Sequence, residues 1–379
     1  MKNTIVEFDE PIFVTRPLMP ELNEVVEKLK EVWDAKWLTN NGKQHQSLED
    51  KLMDYLKVPS LSLFNNGTIA LIIACQSLRI SGEVITTPFT FAATPHILAW
   101  NDINPIFCDI DPLTMNIDPD KIESMITPKT TAILGVHVFG TPCDVFKIQE
   151  IANQYGLKVI YDAAHAFGVE VDGKGIGNFG DITMFSFHAT KLFHTAEGGA
   201  LTYGDKHLKN RIDLLKNFGI KNENEVVMPG INGKMNEMQA SLGLVVLDLV
   251  EEERIKREKI RCLYRELLSE IEGISFVPEL EGVKSSLQYF PIRINENKFG
   301  KSRDFVYEEL KKYNIFTRKY FYPLCSDYPC YSQLPSASSY NLPNSHQVVK
   351  EILTLPFFGD LDLDKVESIC EILKVIKIR

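Results

Sequence analysis

The sequence predicts an α/β protein, with a mainly parallel sheet in a large domain and a smaller α+β domain after it. From Leu61 to about Gly204, short apolar runs alternate with helical stretches, as in βα units around a parallel sheet. A long helical zone follows at Met235–Leu268, and the remaining chain mixes helices with strands. Because 379 residues are too many for one small core, we place the large domain at residues 1–250 and the small one at 251–379.

Individual elements follow from the periodicity of apolar residues. Glu21–Ala35 and Ser47–Leu56 have helical spacing, with Ser47 as the expected cap of the second helix. The predicted strands are Leu61–Phe64, Glu83–Thr86, Pro105–Asp109, Thr131–Val136, Lys158–Asp162, Asp181–Phe187 and, in the small domain, Gln288–Ile294. The predicted helices between the strands are Ile69–Leu78, Ala92–Trp100 and Val145–Tyr155. The charged run Val250–Arg261 is interpreted as a solvated stretch that leads out of the first domain.

Composition and charge exclude several classes of protein. The net charge of -10 and the pI of about 5.4 disfavour binding to nucleic acid or to an anionic membrane, because such a chain repels phosphate. The N-terminal segment MKNTIVEFDEPIF has no apolar core of signal-peptide length, and no apolar run reaches the roughly 18 residues of a membrane span. The seven cysteines form no CxxC pair. We expect a cytoplasmic protein without nucleic-acid or membrane partners.

The turn Asn65–Thr68 is the first candidate for chemistry. It lies between a predicted strand and a predicted helix, and a helix N-terminus offers free N–H groups and a positive dipole end to a phosphate. Gly67 would allow close approach of the backbone, and Thr68 adds a hydroxyl group. Taken alone, the turn fits an ordinary strand–turn–helix connection as well.

Two further candidates follow strand ends. Asp162 ends the run Leu157–Asp162, and carboxyl ends of strands in open sheets face the ligand crevice. A carboxylate there can pair with a cationic ring nitrogen. Lys191 follows the run Ile182–Phe185, and a desolvated lysine becomes a nucleophile toward carbonyl groups. Ser186, on the same segment, could bind a phosphate oxygen.

The order of these three signals favours one cofactor. A phosphate turn, a strand-end aspartate and, about thirty residues later, a lysine form the layout of a pyridoxal-phosphate (PLP) fold. The motif Gly175–Gly180 fits GxGxxG, but it precedes a strand instead of opening a helix, so it predicts a glycine-rich turn and no dinucleotide site. The spacing of Asp162, His165, His188 and His194 matches no zinc pattern, so no metal site is predicted.

With these residues in place, the chain resembles the DegT/DnrJ/EryC1/StrS sugar aminotransferases. The matching segments run in order along the chain: WLTNNG (37–42), FNNGTIAL (64–71), TTPFTFAAT (86–94), DAAHAFG (162–168), GDITMFSFHATK (180–191), EGGALT (197–202), NGKMNEMQASLG (232–243) and RKYFYPL (318–324). The resemblance implies the PLP-dependent transferase fold type I, with a seven-stranded, mainly parallel sheet.

The resemblance also implies a role for each matching residue. Lys191 would form the Schiff base, Asp162 would pair with the pyridine nitrogen, and His165 would lie near the 3-hydroxyl group. Gly67, Thr68 and Ser186 would hold the phosphate. Phe89 would stack on the cofactor ring. Asn232 would reach the phosphate from a neighbouring subunit, which implies a homodimer with shared active sites. The implied substrate-binding residues are Asn40, His188, Glu197, Arg318, Tyr320 and Tyr322. Many relatives have His where Cys325 stands, which puts substrate contacts there in doubt.

The implied reaction moves an amino group from L-glutamate to a nucleotide-linked keto sugar. One branch of the family has His in place of the lysine and removes a hydroxyl group, so the presence of Lys191 favours transamination. The overall similarity favours C4 amination of dTDP-4-keto-6-deoxyglucose, as in O-antigen sugar synthesis. C3 amination is the main alternative, the residues do not distinguish dTDP from UDP, and a non-enzymatic binding or regulatory protein on the same fold remains a further alternative.

Overall fold

A computed structural model describes residues 7–378; residues 1–6, part of the N-terminal segment considered above, and residue 379 lie outside the described range. The α-helices in this range are α1 Leu22–Ala35, α2 Lys43–Leu56, α3 Gly67–Ser77, α4 Ala93–Trp100, α5 Pro119–Ile122, α6 Val145–Tyr155, α7 His207–Leu215, α8 Glu237–Ser269, α9 Glu296–Phe299, α10 Arg303–Lys311, α11 Pro343–Glu351 and α12 Leu363–Ile378. None of the helices within 7–378 is long and apolar enough to cross a membrane.

The strands form one large sheet and several small ones. Their bounds are β1 Ile12–Phe13, β2 Leu61–Phe64, β3 Glu83–Thr86, β4 Asn104–Phe107, β5 Thr130–Val136, β6 Lys158–Asp162, β7 Glu170–Val171, β8 Lys174–Gly175, β9 Ile182–Ser186, β10 Gly199–Thr202, β11 Ile220–Asn222, β12 Glu225–Val226, β13 Ile274–Phe276, β14 Val283–Lys284, β15 Phe290–Ile294, β16 Ile315–Phe316 and β17 Ile352–Leu355.

The large sheet has seven strands in the order β2-β10-β9-β6-β5-β3-β4. Only β10 runs antiparallel to its neighbours, and the other pairs are parallel. The predicted fold class, an α/β fold with a mainly parallel seven-stranded sheet, is confirmed. The strands are mainly apolar because both faces of the sheet are covered, and every residue of β2 and β10 is buried.

The parallel strands bring chemically active residues to one edge of the sheet. Asp162 is the last residue of β6 and pairs in register with Met184 of β9. Ser186 is the last residue of β9 and pairs with Gly199 of β10. Parallel neighbours end on the same side, so the residues after β6 and β9 lie together.

A second buried core lies in the C-terminal part of the chain. The antiparallel sheet β13-β15-β17 packs with α10, α12 and the end of α8, and residues such as Tyr264, Ile292 and Leu373 are fully buried there. Helix α8 is continuous across residue 250 and contributes to both cores. The division at 250/251 stays a prediction.

The start of the second helix was predicted wrongly. Helix α2 begins at Lys43 after Gly42, and Ser47 lies inside it. The carboxylate of Glu237 accepts the N–H groups of Gln44 and His45, at 2.8 and 3.2 Å. The cap therefore comes from a residue almost two hundred positions away, which a local pattern cannot show.

The interpretation of Val250–Arg261 as a solvated stretch was also wrong. The run lies in the middle of α8, and Val250, Arg254 and Arg257 are buried. Arg257 pairs with Glu253 at 2.6 Å, one helical turn earlier. Pairing at this spacing lets two charged side chains enter the interior together, so charge content alone did not indicate exposure.

Candidate active site

A cavity of about 620 Å³ lies at the carboxyl end of the central sheet. Nine of the predicted site residues line it: Gly67, Thr68, Asp162, His165, Ser186, His188, Lys191, Glu197 and Tyr320. They come from the turn before α3, the ends of β6 and β9, the loops after them and the segment after β16. The cavity therefore unites residues that are far apart in sequence.

Lys191 places its amine in the buried part of this cavity. Its Nζ lies 5.8 Å from the ring centroid of Tyr289. Burial lowers the pKa of the Lys191 amine from 10.5 to about 8, while the nearby Tyr320 and Asp162 oppose that shift. A substantial fraction of this amine is therefore neutral near physiological pH, as a nucleophile or general base requires.

Asp162 is a buried carboxylate that can accept further hydrogen bonds. Its Oδ1 accepts the N–H of Ala164 at 3.0 Å, and its Oδ2 accepts the hydroxyl of Thr94 at 2.9 Å. Burial raises the pKa of the Asp162 carboxyl, although these two hydrogen bonds and Lys191 oppose the rise. A carboxylate can accept about four hydrogen bonds, so a cationic N–H donor beside Asp162 would offset the cost of burial.

His165 is fixed between aromatic rings as a neutral imidazole. It stacks on Phe139 and Phe321, and the ring of Tyr289 meets it edge-on with centroids 4.9 Å apart. Burial holds the pKa of His165 well below its usual value. Its Nδ1 accepts the N–H of Phe139 at 3.3 Å, so the ring proton belongs on Nε2. His165 can thus donate one hydrogen bond from a fixed position.

The start of α3 has the features of a phosphate cradle. Asn66 caps the helix by accepting the N–H of Ile69 at 2.8 Å, and the amides of Gly67 and Thr68 have no acceptor among residues 7–378. A Cβ at position 67 would lie 3.1 Å from the sulfur of Met184 and 3.2 Å from the Cβ of Ser186. Gly67 therefore allows a close contact between the helix N-terminus and Ser186, which a side chain at this position would crowd.

The structure contradicts the placement of Phe89 on the cofactor ring. Phe89 is fully buried, packs edge-on against Phe139 and Phe321, and does not line the cavity. Phe91, two residues later, lines the cavity and is 62% exposed. Both positions are aromatic in the segment TTPFTFAAT, so the sequence could not show which ring turns into the core.

Asn40 and Asn232 lie away from this cavity. Asn40 lines a separate depression of about 410 Å³ together with Lys234 and Asn217. Asn232 is exposed and forms a β-bridge with Asn217. Neither asparagine lines the cavity of its own chain, so a role for either one there requires a second subunit.

The segment after β16 is only partly at the cavity. Tyr320 lines it, whereas Arg318 and Tyr322 are exposed and do not. The amine of Lys319 pairs with the carboxylate of Asp304 at 2.6 Å. Cys325 is buried and does not line the cavity, and its thiol donates to the carbonyl of Thr90 at 3.3 Å. The position in which many relatives carry His is thus part of the core here.

Sequence reasoning missed several residues of the site. Tyr289 and Phe321 line the cavity, and Thr94 holds Asp162. Gln288 contacts the backbone on both sides of Lys191. Tyr289 and Gln288 belong to a predicted strand, but no local pattern links that strand to Lys191, about a hundred residues earlier.

Comparison with known proteins agrees with this geometry. The chain is 50% identical to the dTDP-4-amino-4,6-dideoxy-D-glucose transaminase of Escherichia coli, over 96% of this chain and 98% of that one. It is 46% identical to the Shigella dysenteriae protein of the same name, over 97% and 100%. The crystal structure of DesI in the presence of its TDP-sugar product superposes with a TM-score of 0.94 at 35% identity, covering 99% of this chain and 95% of DesI.

A more distant structure has the same architecture. PseC of Helicobacter pylori, an aminotransferase of pseudaminic acid biosynthesis, superposes with a TM-score of 0.90 at 28% identity, over 97% of this chain and 99% of PseC. The profile of one family covers residues 21–374, which include every predicted site residue. The profile match and the identity to the named transaminases agree with a fold whose cavity holds a buried lysine and a buried carboxylate. The chain belongs to the DegT/DnrJ/EryC1/StrS aminotransferase family.

Proposed function

We propose that this protein transfers the amino group of L-glutamate to C4 of dTDP-4-keto-6-deoxy-D-glucose, giving dTDP-4-amino-4,6-dideoxy-D-glucose and 2-oxoglutarate. The observation that carries the proposal is the cavity that joins Lys191 to Asp162, in a chain half identical to a transaminase named for that product. Both features favour amination over removal of a hydroxyl group.

Pyridoxal 5'-phosphate fits the residues that line the cavity. Lys191 offers the neutral amine for covalent attachment, and Asp162 offers the buried carboxylate for a cationic ring nitrogen. The free amides of Gly67 and Thr68, beside Ser186, suit the phosphate. Phe91 is placed to cover the ring. When bound, this cofactor supplies an electron sink for a carbanion at the carbon that loses or gains the amino group.

Lys191 is proposed to move the protons of both half-reactions. In the first, its neutral Nζ takes the proton from Cα of L-glutamate, and in the second, it returns a proton to C4 of the sugar. The burial that lowers the pKa of the Lys191 amine to about 8 makes both transfers accessible near neutral pH. Asp162 would hold a cationic ring nitrogen of the cofactor, and the fixed Nε2–H of His165 would donate to an oxygen on the ring.

The sugar nucleotide is proposed to enter past the exposed rim of the cavity. His188 and Glu197 line the rim, with His188 Nε2 3.7 Å from a carboxylate oxygen of Glu197. The pyrophosphate of the sugar nucleotide needs a cationic partner, and Arg318 and Lys319 are the basic residues of this segment. Lys319 already pairs with an aspartate, while Arg318 is exposed. We therefore favour Arg318, with Tyr320 and Tyr322 beside it.

A homodimer with shared active sites completes the proposal. Asn232 is exposed outside its own cavity, so only a second copy could bring it to the phosphate. The stretches of chain before and after it carry exposed apolar side chains: Phe218, Val226 and Met238 are 49%, 67% and 44% exposed. Exposed apolar side chains are typical of a subunit interface. Asn40, in the depression nearby, would reach the neighbouring site across the same interface.

The test is a panel of keto-sugar nucleotides offered with L-glutamate to the PLP-loaded protein. We expect turnover to be fastest with dTDP-4-keto-6-deoxyglucose, with nitrogen on C4 by NMR and one 2-oxoglutarate formed per amino sugar. Preferred amination at C3, or of a UDP sugar, would contradict the proposed substrate. Absence of any glutamate-dependent amination would contradict the proposed function. The cytoplasmic location and a place in O-antigen synthesis remain predictions.

A further inference from the structure

Gln288 binds the peptide groups on both sides of Lys191. Its Oε1 accepts the N–H of Leu192 at 2.7 Å, and its Nε2 donates to the carbonyl of Thr190 at 2.9 Å. Gln288 is 2% exposed and Leu192 is fully buried, so the N–H of Leu192 could not turn to water if the glutamine were lost. A buried polar group without a partner costs about 1–3 kcal/mol. One side chain therefore holds the backbone of the candidate catalytic lysine.

The segment that carries this glutamine is itself held by α8. Arg254 donates to the carbonyl of Ser285 at 2.7 Å, and Arg257 donates to the carbonyl of Leu287 at 3.1 Å. Arg257 is oriented in turn by its pair with Glu253. The charged run in the middle of α8 thus supports the segment just before β15, and that segment contacts the loop of Lys191.

The amine of Lys191 has no comparable anchor of its own. Within residues 7–378, no side-chain or backbone acceptor forms a hydrogen bond with its Nζ, which lies 5.8 Å from the ring centroid of Tyr289. A lysine side chain has four rotatable bonds, so the region that a free Nζ can reach depends on the position of the lysine backbone. The two hydrogen bonds of Gln288 fix that backbone position.

We propose that Gln288 is a positioning residue, which fixes the backbone from Thr190 to Leu192 so that the Lys191 amine remains in the buried cavity beside Asp162. The inference rests on the proposed function, because positioning the Lys191 amine matters for the reaction only if Lys191 takes part in it. Small displacements of a reacting group lower rates steeply: an error of about 1 Å costs on the order of a hundredfold.

Two substitutions at this position separate positioning from folding. Gln288→Leu removes both hydrogen bonds. Gln288→Glu keeps the acceptor for Leu192 but can donate to Thr190 only when its carboxyl is protonated. The control is Asn178→Leu, which likewise removes two hydrogen bonds between a side-chain amide and the backbone, here to the carbonyls of Lys57 and Gly175, at a site that does not line the cavity.

The first measurement needs no bound cofactor. An amine-selective acylating reagent is applied to the full-length cofactor-free protein across a range of pH, and the peptide that contains Lys191 is quantified by mass spectrometry. Labelling of the wild type is expected to rise through about pH 8. In Gln288→Leu the rise should move to higher pH, because a displaced amine is better solvated. Asn178→Leu should match the wild type.

The second measurement is turnover of the PLP-loaded protein. For Gln288→Leu we expect kcat to fall about ten- to a hundredfold, while KM for the sugar nucleotide changes less than about threefold. Gln288→Glu should retain kcat at low pH and lose it as the pH rises, along a titration that the wild type lacks. Because ionisation of a buried carboxyl can also unfold the protein, circular dichroism is recorded at each pH. A loss of kcat without a loss of structure then tests positioning even if the leucine variant does not fold.

The inference is overturned if both variants at position 288 keep the wild-type labelling profile and kcat. It is also overturned if kcat falls as much in Asn178→Leu as in those variants. Failure of the proposed function looks different. In that case the wild type itself shows no glutamate-dependent amination, whatever the variants do.

Discussion

Replacing Phe91 by alanine is expected to weaken binding of the cofactor with little effect on the free energy of unfolding. Replacing Phe89 by alanine should lower the free energy of unfolding with little direct effect on cofactor binding. The two rings are two residues apart, but Phe89 is fully buried between Phe139 and Phe321, whereas Phe91 lines the cavity. The pair therefore distinguishes a ring of the core from a ring of the binding site.

The magnitudes follow from burial. Phe89→Ala empties a closed core position, which costs about 3–5 kcal/mol of unfolding free energy. Phe91 is 62% exposed, so less than half of a full burial energy is lost, or about 1 kcal/mol. Losing a stacked ring should cost about 1–2 kcal/mol of binding, since an aromatic pair contributes about 0.5–1.5 kcal/mol beyond the apolar area that it buries. That corresponds to a roughly five- to thirtyfold weaker Kd.

The assay uses pyridoxamine phosphate, which cannot attach covalently to Lys191, so that the Kd reports non-covalent contacts alone. Unfolding free energies come from urea titration of the cofactor-free protein. The control is Phe146→Ala, since Phe146 is 59% exposed and does not line the cavity. Binding by Phe91→Ala within twofold of wild type, or a larger loss of affinity in Phe146→Ala, would refute the reasoning.

Three more predictions follow from the site and the core. Lys191→Ala should abolish turnover and the visible absorbance of the lysine-bound cofactor, whereas Asp162→Asn should keep that absorbance but slow proton transfer strongly. Absorbance measured over a single turnover distinguishes the two effects. A near-normal rate in either variant would remove that residue from the mechanism. Asn232→Ala should weaken cofactor retention only in the site of the neighbouring subunit, which mixed dimers carrying one Lys191→Ala chain can test; a same-chain effect would contradict the shared site. His137 is fully buried, and burial lowers its pKa from 6.5 to about 3. As the pH falls below 6.5, the unfolded chain takes up a proton before the folded one does, so the free energy of unfolding should fall by about 2 kcal/mol at pH 5. Urea titration at pH 7.5 and 5 should show a larger loss of unfolding free energy in the wild type than in His137→Gln, and an equal loss would exclude this histidine as the cause.

Several features of the fold could be predicted because they depend on local patterns. The strands of the sheet are mainly apolar, and the turn at Gly67 and the ends of β6 and β9 carry residues that line the cavity. Strand β10 was not predicted. It is a four-residue strand that runs antiparallel to both of its neighbours, so it does not belong to a βα unit.

The errors share a physical cause, which is that the partner of each misassigned residue is distant in sequence. The cap of α2 comes from Glu237, and the charges of α8 are buried because they pair with each other and with a segment thirty residues later. The choice between Phe89 and Phe91 depended on which ring found space among Phe139 and Phe321.

The sequence by itself determined the class of fold, the family and the residue types of the site, because hydrophobic periodicity and motif order are properties of neighbouring positions. Only the tertiary structure decided how the amine of Lys191 is held, which aromatic ring faces the cavity and which charges are buried. Those outcomes depend on contacts between elements such as α8, the segment before β15 and the loop after β9, and their geometry exists only once the chain has folded.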